Sequence, residues 1–217
     1  MSGGQGTIRT AAELFAADEA VDEVVCGFRL LDPGETRLKA LGAHDPTPTP
    51  YFVLEELFKH YSFDKRTRLL DVGCGTGRVL AYFLKAGFPG KATGVELDPL
   101  LAATARLWAS SHANLSVKEG SVLDLDLGAF TDFYLFNPFD WTVLQEFIVQ
   151  MEMQVHHPCT VVHMSDNGDS WWYMNRAGWT ELASGEFQHY RNDRGYPVKV
   201  YESPQHYTVW RFEGAPA

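Results

Sequence analysis

Apolar positions recur at two different spacings along this chain of 217 residues, and the change of spacing divides it into two parts. From Thr10 the spacing is helical. Leu14, Ala17, Val21, Val24 and Val25 fall on one face of a helix running to about Val25, and Thr10 with Glu13 three residues on makes a capping box. Residues 32–50 hold four prolines among glycines and turn formers, which predicts a surface crossing before a second helix at Tyr51–Tyr61. Residues 1–9 have little to bury and are expected to be mobile.

From Arg68 apolar runs alternate with helical segments, the pattern of a parallel sheet covered on both faces. Strands are expected at Leu69–Val72, Ala92–Leu97, Leu115–Lys118, Asp132–Phe136 and Thr160–His163. Helices are expected at Arg78–Lys85, Pro99–Ser110 and Trp141–Met153, with helical residues around Ser170–Arg176. The alternation then stops. Thr180–Tyr190, Pro197–Glu202 and Gln205–Phe212 read as extended segments, with Trp210 and Phe212 two apart on one face. The predicted fold is α/β: a Rossmann-like, doubly wound, seven-stranded sheet, mostly parallel, with an antiparallel C-terminal edge. Residues 1–62 form a helical extension or lid before a ligand-binding domain at 63–217.

The chemistry concentrates at Asp71-Val72-Gly73-Cys74-Gly75-Thr76-Gly77, which leads from a strand into a helix. Glycines at such a turn remove Cβ atoms, so the backbone can approach a ligand and take positive φ. A dinucleotide loop leaves its helix N-terminus free for a pyrophosphate. Here Asp71 precedes the first glycine by two residues, and an acid at the strand end repels phosphate and favours an ammonium. Glu96 ends the second strand nineteen residues after Gly77, where a carboxylate can accept from both hydroxyls of a ribose. S-adenosylmethionine (SAM) has an amino-acid head, a sulfonium and a ribose, and no phosphate. Both acids fit it.

These residues resemble the class I SAM-dependent methyltransferase family, most clearly over Arg68–Phe139. The resemblance implies SAM as cofactor, with Asp71, Gly73 and Gly75 at the methionine end, Glu96 at the ribose, Ser121 with Val122 beside the adenine, and Cys74, Gly77 and Leu97 as further cofactor-binding positions. Many relatives carry an acid where this chain has Ser121. Tyr134-Leu135-Phe136-Asn137-Pro138-Phe139-Asp140 is similar to the N-P-P-Y loop of amino-directed methyltransferases, with Phe139 in place of the second proline. With Pro48-Thr49-Pro50-Tyr51 it looks most like a group of bacterial methyltransferases that have a P-T-P-Y segment. Asn137, Pro138 and Phe139 are the expected catalytic residues: the Asn137 amide would accept from an amine nucleophile, and Phe139 would stack on a flat group. Asn137 would also touch the cofactor.

Two other readings remain open. Asn137 or Asp140 with Ser165-Asp166-Asn167-Gly168-Asp169 could assemble oxygen ligands for Mg²⁺, as in metal-assisted O-methyltransferases, although an Asp-Asn-Gly-Asp run is also ordinary turn chemistry. The domain could also be a non-catalytic SAM-binding regulatory module. His156, His157, Cys159 and His163 lack a second cluster at zinc spacing, and no metal site is assigned to them. Trp171-Trp172-Tyr173 follows the loop after the fifth strand and could wall the acceptor pocket or pack the sheet edge, and Tyr51 could cover the cofactor or anchor its helix.

Composition narrows the partners. With 28 acids against 18 bases the formal charge is −10, which disfavours a polyanion such as nucleic acid. Three cysteines without paired spacing are expected to be reduced thiols. No apolar run reaches the length of a membrane span and the N-terminus lacks a signal-peptide pattern, so a cytoplasmic location is expected. The acceptor expected from these features is a nitrogen of a small molecule or a protein side chain.

Overall fold

Strand formation follows burial. In the computed structural model, which describes residues 7–30 and 34–215, the central strands are apolar on both faces because helices cover both sides. β1 (Arg68–Val72), β4 (Asp132–Phe136) and β5 (Cys159–Met164) are of this kind, while β2 (Lys91–Glu96) and the partly exposed edge strand β3 (Leu115–Glu119) carry polar positions. They pair in parallel, with Leu70 opposite Thr93 of β2 and Phe133 of β4. β6 (Trp179–Phe187) and β9 (Gln205–Phe212) add the antiparallel edge, giving the order β3-β2-β1-β4-β5-β9-β6. The expected seven-stranded sheet is present, and its order reverses between β1 and β4, where open sheets of this kind place their ligands.

The ends of several predicted elements differ. The extended stretch predicted at Thr180–Tyr190 breaks at Gln188, and β7 (His189–Arg191) pairs with β8 (Pro197–Lys199) in a separate ribbon. That ribbon docks on the N-terminal part: Tyr190 meets Phe52 at 5.4 Å, and the Asn192 amide donates to the Ile8 carbonyl. Only a 3-10 turn, Asp169–Trp172, forms where helix was expected near Ser170–Arg176. The expected mobility of residues 1–9 falls mainly on 1–6, outside the described residues.

The first helix, α1 (Ala11–Cys26), starts with the predicted capping box and ends at Gly27 in the left-handed conformation. Its buried face is the predicted one in part: Leu14 is buried and Val21 and Val25 pack half-buried against the core. Ala17 is exposed and Val24 is 86% exposed, whereas Asp18 and Asp22 point inward with Leu14. The rotation follows from partners elsewhere in the chain. α2 (Tyr51–Leu57) continues into a 3-10 turn at Phe58–His60. With α3 (Arg78–Lys85) and α4 (Pro99–Ala109) it covers one face of the sheet, and Leu30, Leu54, Leu57 and Phe58 join Leu69, Leu80 and Val162 in one apolar cluster. Burying each such side chain fully contributes about 1.5–3 kcal/mol, so the N-terminal helices share the core of the sheet.

The other face packs under α5 (Trp141–Gln154), where Leu144, Phe147, Ile148 and Met151 meet Leu70, Phe133 and Val161. Trp210 and Phe212 are buried together here, stacked on Tyr173 and Trp179 at 5.2 and 4.8 Å. Glu152 of α5 takes a two-point ion pair from Arg176 and a hydrogen bond from the Trp179 indole, joining the helix to the edge strand.

Candidate functional site

The loop after β1 is shaped by its glycines. Gly73, Gly75 and Gly77 all have positive φ, at 71°, 53° and 98°. Each has a different neighbour. A Cβ on Gly73 would lie 2.6 Å from Pro138, so this position needs glycine for the contact with the loop after β4. A Cβ on Gly77 would meet the Trp108 ring at 2.9 Å, and Gly77 packs the loop against α4. Gly75 faces open space. The loop is tied down by the Gly73 and Cys74 amides, which both donate to the Val95 carbonyl, and by the Gly75 amide, which donates to Glu96 at 2.7 Å.

A cleft of about 310 Å³ opens at the carboxyl ends of these strands, a size at the lower end for small-molecule sites. Gly73, Glu96, Leu97, Ser121, Val122, Pro138 and Phe139 line it, so the cleft brings together half of the predicted cofactor positions and two of the expected catalytic residues. Glu96 accepts from the Gly75 and Asp98 amides at 2.7 and 2.8 Å, which fixes the carboxylate and leaves lone pairs for a ligand. Burial pushes its pKa up. Ser121 accepts from the Leu123 amide and so holds its loop in place.

A narrower pocket adjoins the cleft at Gly73 and is lined by Asp71, Cys74, Gly75, Thr76, Arg78, Thr49 and Tyr134. Asp71 is 2% exposed and its Oδ2 is buried without a hydrogen-bond partner. Burial, with the negative charge of Glu96 added, raises its pKa well above the carboxylate range. Such an orphan is costly unless a donor or cation meets it.

Both spaces are roofed by chain that precedes the predicted domain. Residues from Thr36 to Thr49 run across them, with His44, Asp45, Pro46 and Thr47 over the cleft and Pro46 to Thr49 over the narrow pocket. This strap is fastened to the loop after β4. Ala43 forms a β-bridge with Phe139, the His44 amide donates to the Pro138 carbonyl at 3.0 Å, and the Asp140 amide donates to Gly42 at 2.8 Å. The His44 ring sits 2.9 Å from the Asn137 carbonyl. Pro48 and Thr49 of P-T-P-Y therefore contribute to the site, while Tyr51 is an anchor: its hydroxyl donates to Asp22 and its amide to Asp18.

Asn137 is placed differently from its neighbours. It has φ 39°, an uncommon backbone conformation for a residue other than glycine. It lines an open depression with Lys39, Gly42, His44 and Asp140, and the strap segment 43–45 lies between that depression and the cleft. Gly77 also lies outside the linings of both the cleft and the narrow pocket. Beside the depression, Trp141 stacks on Trp172 at 5.7 Å and 10°, and Trp171 packs on Trp172 at 4.5 Å. Trp141 and Trp171 are exposed.

The carboxylates of the proposed Mg²⁺ set are engaged elsewhere. Asp140 caps α5 through the Thr142 and Val143 amides, and Asp166 is fully buried against Thr208 and His206 at 2.9 Å. No group of three or more His, Cys, Asp or Glu able to hold a metal occurs among the described residues. His163 is buried beside the Tyr173 hydroxyl, and burial pushes its pKa down to about 4.

Sequence reasoning missed Thr49, Tyr134, His44 and Arg78. Arg78 adjoins the glycine motif, but its orientation depends on Asp22, whose inward direction the apolar spacing of α1 does not show.

Residues 69–154 match a family model described as a methyltransferase domain. No curated protein matches the sequence. Among solved structures, an RNA methyltransferase of Salinibacter ruber in complex with S-adenosyl-L-homocysteine is similar with TM-score 0.55 and 20% identity, over 79% of this chain and 95% of that one. TrmN of Thermus thermophilus gives TM-score 0.60 and 11% identity over 76% of this chain and 50% of that one. The YcgJ protein of Bacillus subtilis gives TM-score 0.56 and 11% identity over 77% of this chain and all of that one, 100%. These likenesses concern the fold. No helix among the described residues is long and apolar enough to cross a membrane.

Proposed function

We propose, on the premise that this chain is a SAM-dependent methyltransferase of the class I fold, that it methylates a nitrogen of a small molecule or protein side chain. The observation that carries the cofactor reading is the adjacency of two spaces that share Pro46, Thr47, Gly73 and Phe136 in their linings: a cleft holding the Glu96 carboxylate and a pocket holding the partnerless Asp71. Glu96 would accept from the ribose hydroxyls, Leu97, Ser121 and Val122 would enclose the adenine, and Asp71 with Gly75 would meet the amino-acid head. When bound, SAM supplies an electrophilic methyl group, whose bond to sulfur breaks as the acceptor's lone pair forms the new one. What the chain supplies is position and exclusion of water.

Asn137 is proposed as the residue that aligns the acceptor, its side-chain oxygen accepting from an amine. In the closed arrangement the strap separates it from the cleft, so transfer requires the strap to shift, and the strap's few hydrogen bonds to residues 137–140 allow this. The exposed tryptophans beside it suit a flat or cationic body, since aromatic faces attract cations. The similarity to an RNA methyltransferase brings RNA into consideration, but a formal charge of −10 favours a non-polyanionic acceptor.

Calorimetry with S-adenosylhomocysteine, with NAD as the control, tests the cofactor. Binding of the first and none of the second is expected, and the reverse would overturn the reading. A screen of candidate acceptors by transfer of a labelled methyl group then tests the reaction. Asn137→Ala is expected to lower kcat with SAM affinity little changed, and a parental kcat would remove its catalytic role.

A further inference from the structure

The narrow pocket contains an acidic and a basic side chain, Asp71 and Arg78, and the second is not explained by the glycine motif. Arg78 is the first residue of α3, and its side chain is nine-tenths buried. Two of its nitrogens are engaged by Asp22: Nε donates to Oδ1 at 3.3 Å and Nη2 to Oδ2 at 2.5 Å, while Nη2 also donates to the Leu30 carbonyl at 3.0 Å. The guanidinium lies 5.7 Å from the centre of the Tyr51 ring, and the Tyr51 hydroxyl donates to the same Asp22 carboxylate. The remaining nitrogen, Nη1, makes no hydrogen bond to the described residues, and Arg78 lines the pocket.

A guanidinium is a rigid planar fork, so engaging one side fixes the direction of the other. Asp71, with an unpartnered carboxylate oxygen, lines the same pocket. One acceptor-seeking and one donor-seeking group in a single lining match a group that carries ammonium and carboxylate on a single carbon. Thr49 and Tyr134 lie in the same lining and hydrogen-bond each other at 3.0 Å, leaving hydroxyl capacity for a further polar contact.

We infer that Arg78, aimed by Asp22 of the N-terminal helix, binds the α-carboxylate of the cofactor's amino-acid end, so that this pocket selects a zwitterionic α-amino acid. The inference rests on the SAM reading above and adds to it a binding residue, a positioning residue and a specificity. Asp22 lies outside residues 69–154, so the methyltransferase domain completes its cofactor site with a helix from the preceding segment.

The test can be made on the ligand side, with no change to the protein. Titration of the full chain by calorimetry compares S-adenosylhomocysteine with its decarboxylated analogue, which keeps the amine, ribose and adenine. The intact ligand is expected to bind on the order of 10- to 100-fold more tightly, the range for a charge-assisted hydrogen bond. Arg78→Lys keeps a cation beside Asp22 but loses the fork, and it should remove most of that difference while leaving affinity for the decarboxylated analogue near parental. Equal binding of the two ligands by the parent protein would overturn the inference and leave the SAM reading standing. Failure of the parent to bind either ligand would remove both.

Discussion

Arg78 and Asp22 form a buried ion pair that joins the helix after the glycine loop to the first helix of the chain, with Asp22 wholly buried. The pair sits directly behind the pocket of Asp71, so one contact serves both the attachment of the N-terminal segment and the geometry of the site. Removing one member of such a pair leaves a buried charge without compensation, which typically costs about 3–5 kcal/mol. Asp22→Ala is therefore expected to lower stability by that order in urea unfolding. Glu23→Ala, which breaks the exposed pair with Arg29 one residue along, should cost much less, because water screens that pair. Equal losses would show that the burial of Asp22 is not what makes it matter.

Asp71 should release a proton when the cofactor binds. Burial raises its pKa in the free protein, with Glu96 adding to the effect, so the carboxyl holds a proton that the ordinary group would have lost. An ammonium favours the carboxylate and drives that proton off. Affinity is then expected to rise with pH until the free-state pKa of Asp71 is passed. The heat of binding S-adenosylhomocysteine should depend on the ionisation heat of the buffer, and Asp71→Asn should abolish that dependence.

The two glycines nearest the ligand should respond differently to alanine. Gly73→Ala places a Cβ 2.6 Å from Pro138 and should displace the loop after β4, lowering both the melting temperature and cofactor affinity. Gly75→Ala meets no protein atom, so its cost to folding is the left-handed backbone alone, about 1–2 kcal/mol. Its loss of affinity should exceed its loss of stability if, as proposed, the cofactor occupies the open space beside it. Measuring both quantities on both variants checks this.

Loosening the strap should speed exchange. His44 holds the strap through its amide to Pro138 and its ring to the Asn137 carbonyl. His44→Ala removes the ring contact only, and is expected to raise the dissociation rate of S-adenosylhomocysteine in stopped-flow displacement while shifting the melting temperature little. An unchanged rate would show that the strap does not gate the cleft.

Stability should fall as pH rises from about 4 to about 6. Burial raises Asp18 and Asp132 to about 6 each, so in this window the folded state binds protons that the unfolded chain has released. Unfolding then releases protons, and the slope of stability against pH is negative. Asp132→Asn keeps an acceptor for the Thr131 hydroxyl and abolishes the titration. It should stabilise the protein by about 1–3 kcal/mol at pH 7 and by much less at pH 4. Denaturant midpoints at the two pH values provide the measurement.

What the sequence by itself determined is what is local along the chain. The apolar runs at Leu69–Val72 and Asp132–Phe136 mark strands because both faces of a parallel sheet are buried, and the three glycines with Asp71 and Glu96 mark a ligand because their spacing is set by one strand, one turn and one helix. What only the tertiary structure decided depends on residues distant in sequence. The inward direction of Asp18 and Asp22 was invisible because helical periodicity assigns acids to solvent, and a buried charge is tolerated only where a partner such as Arg78, fifty-six residues away, meets it. The same reason applies to the strap from Thr36 to Thr49 over the cleft and to Asn137 on its far side. Prolines and turn residues state that the chain leaves regular structure, while hydrogen bonds to Pro138 and Asn137 decide where it comes to rest.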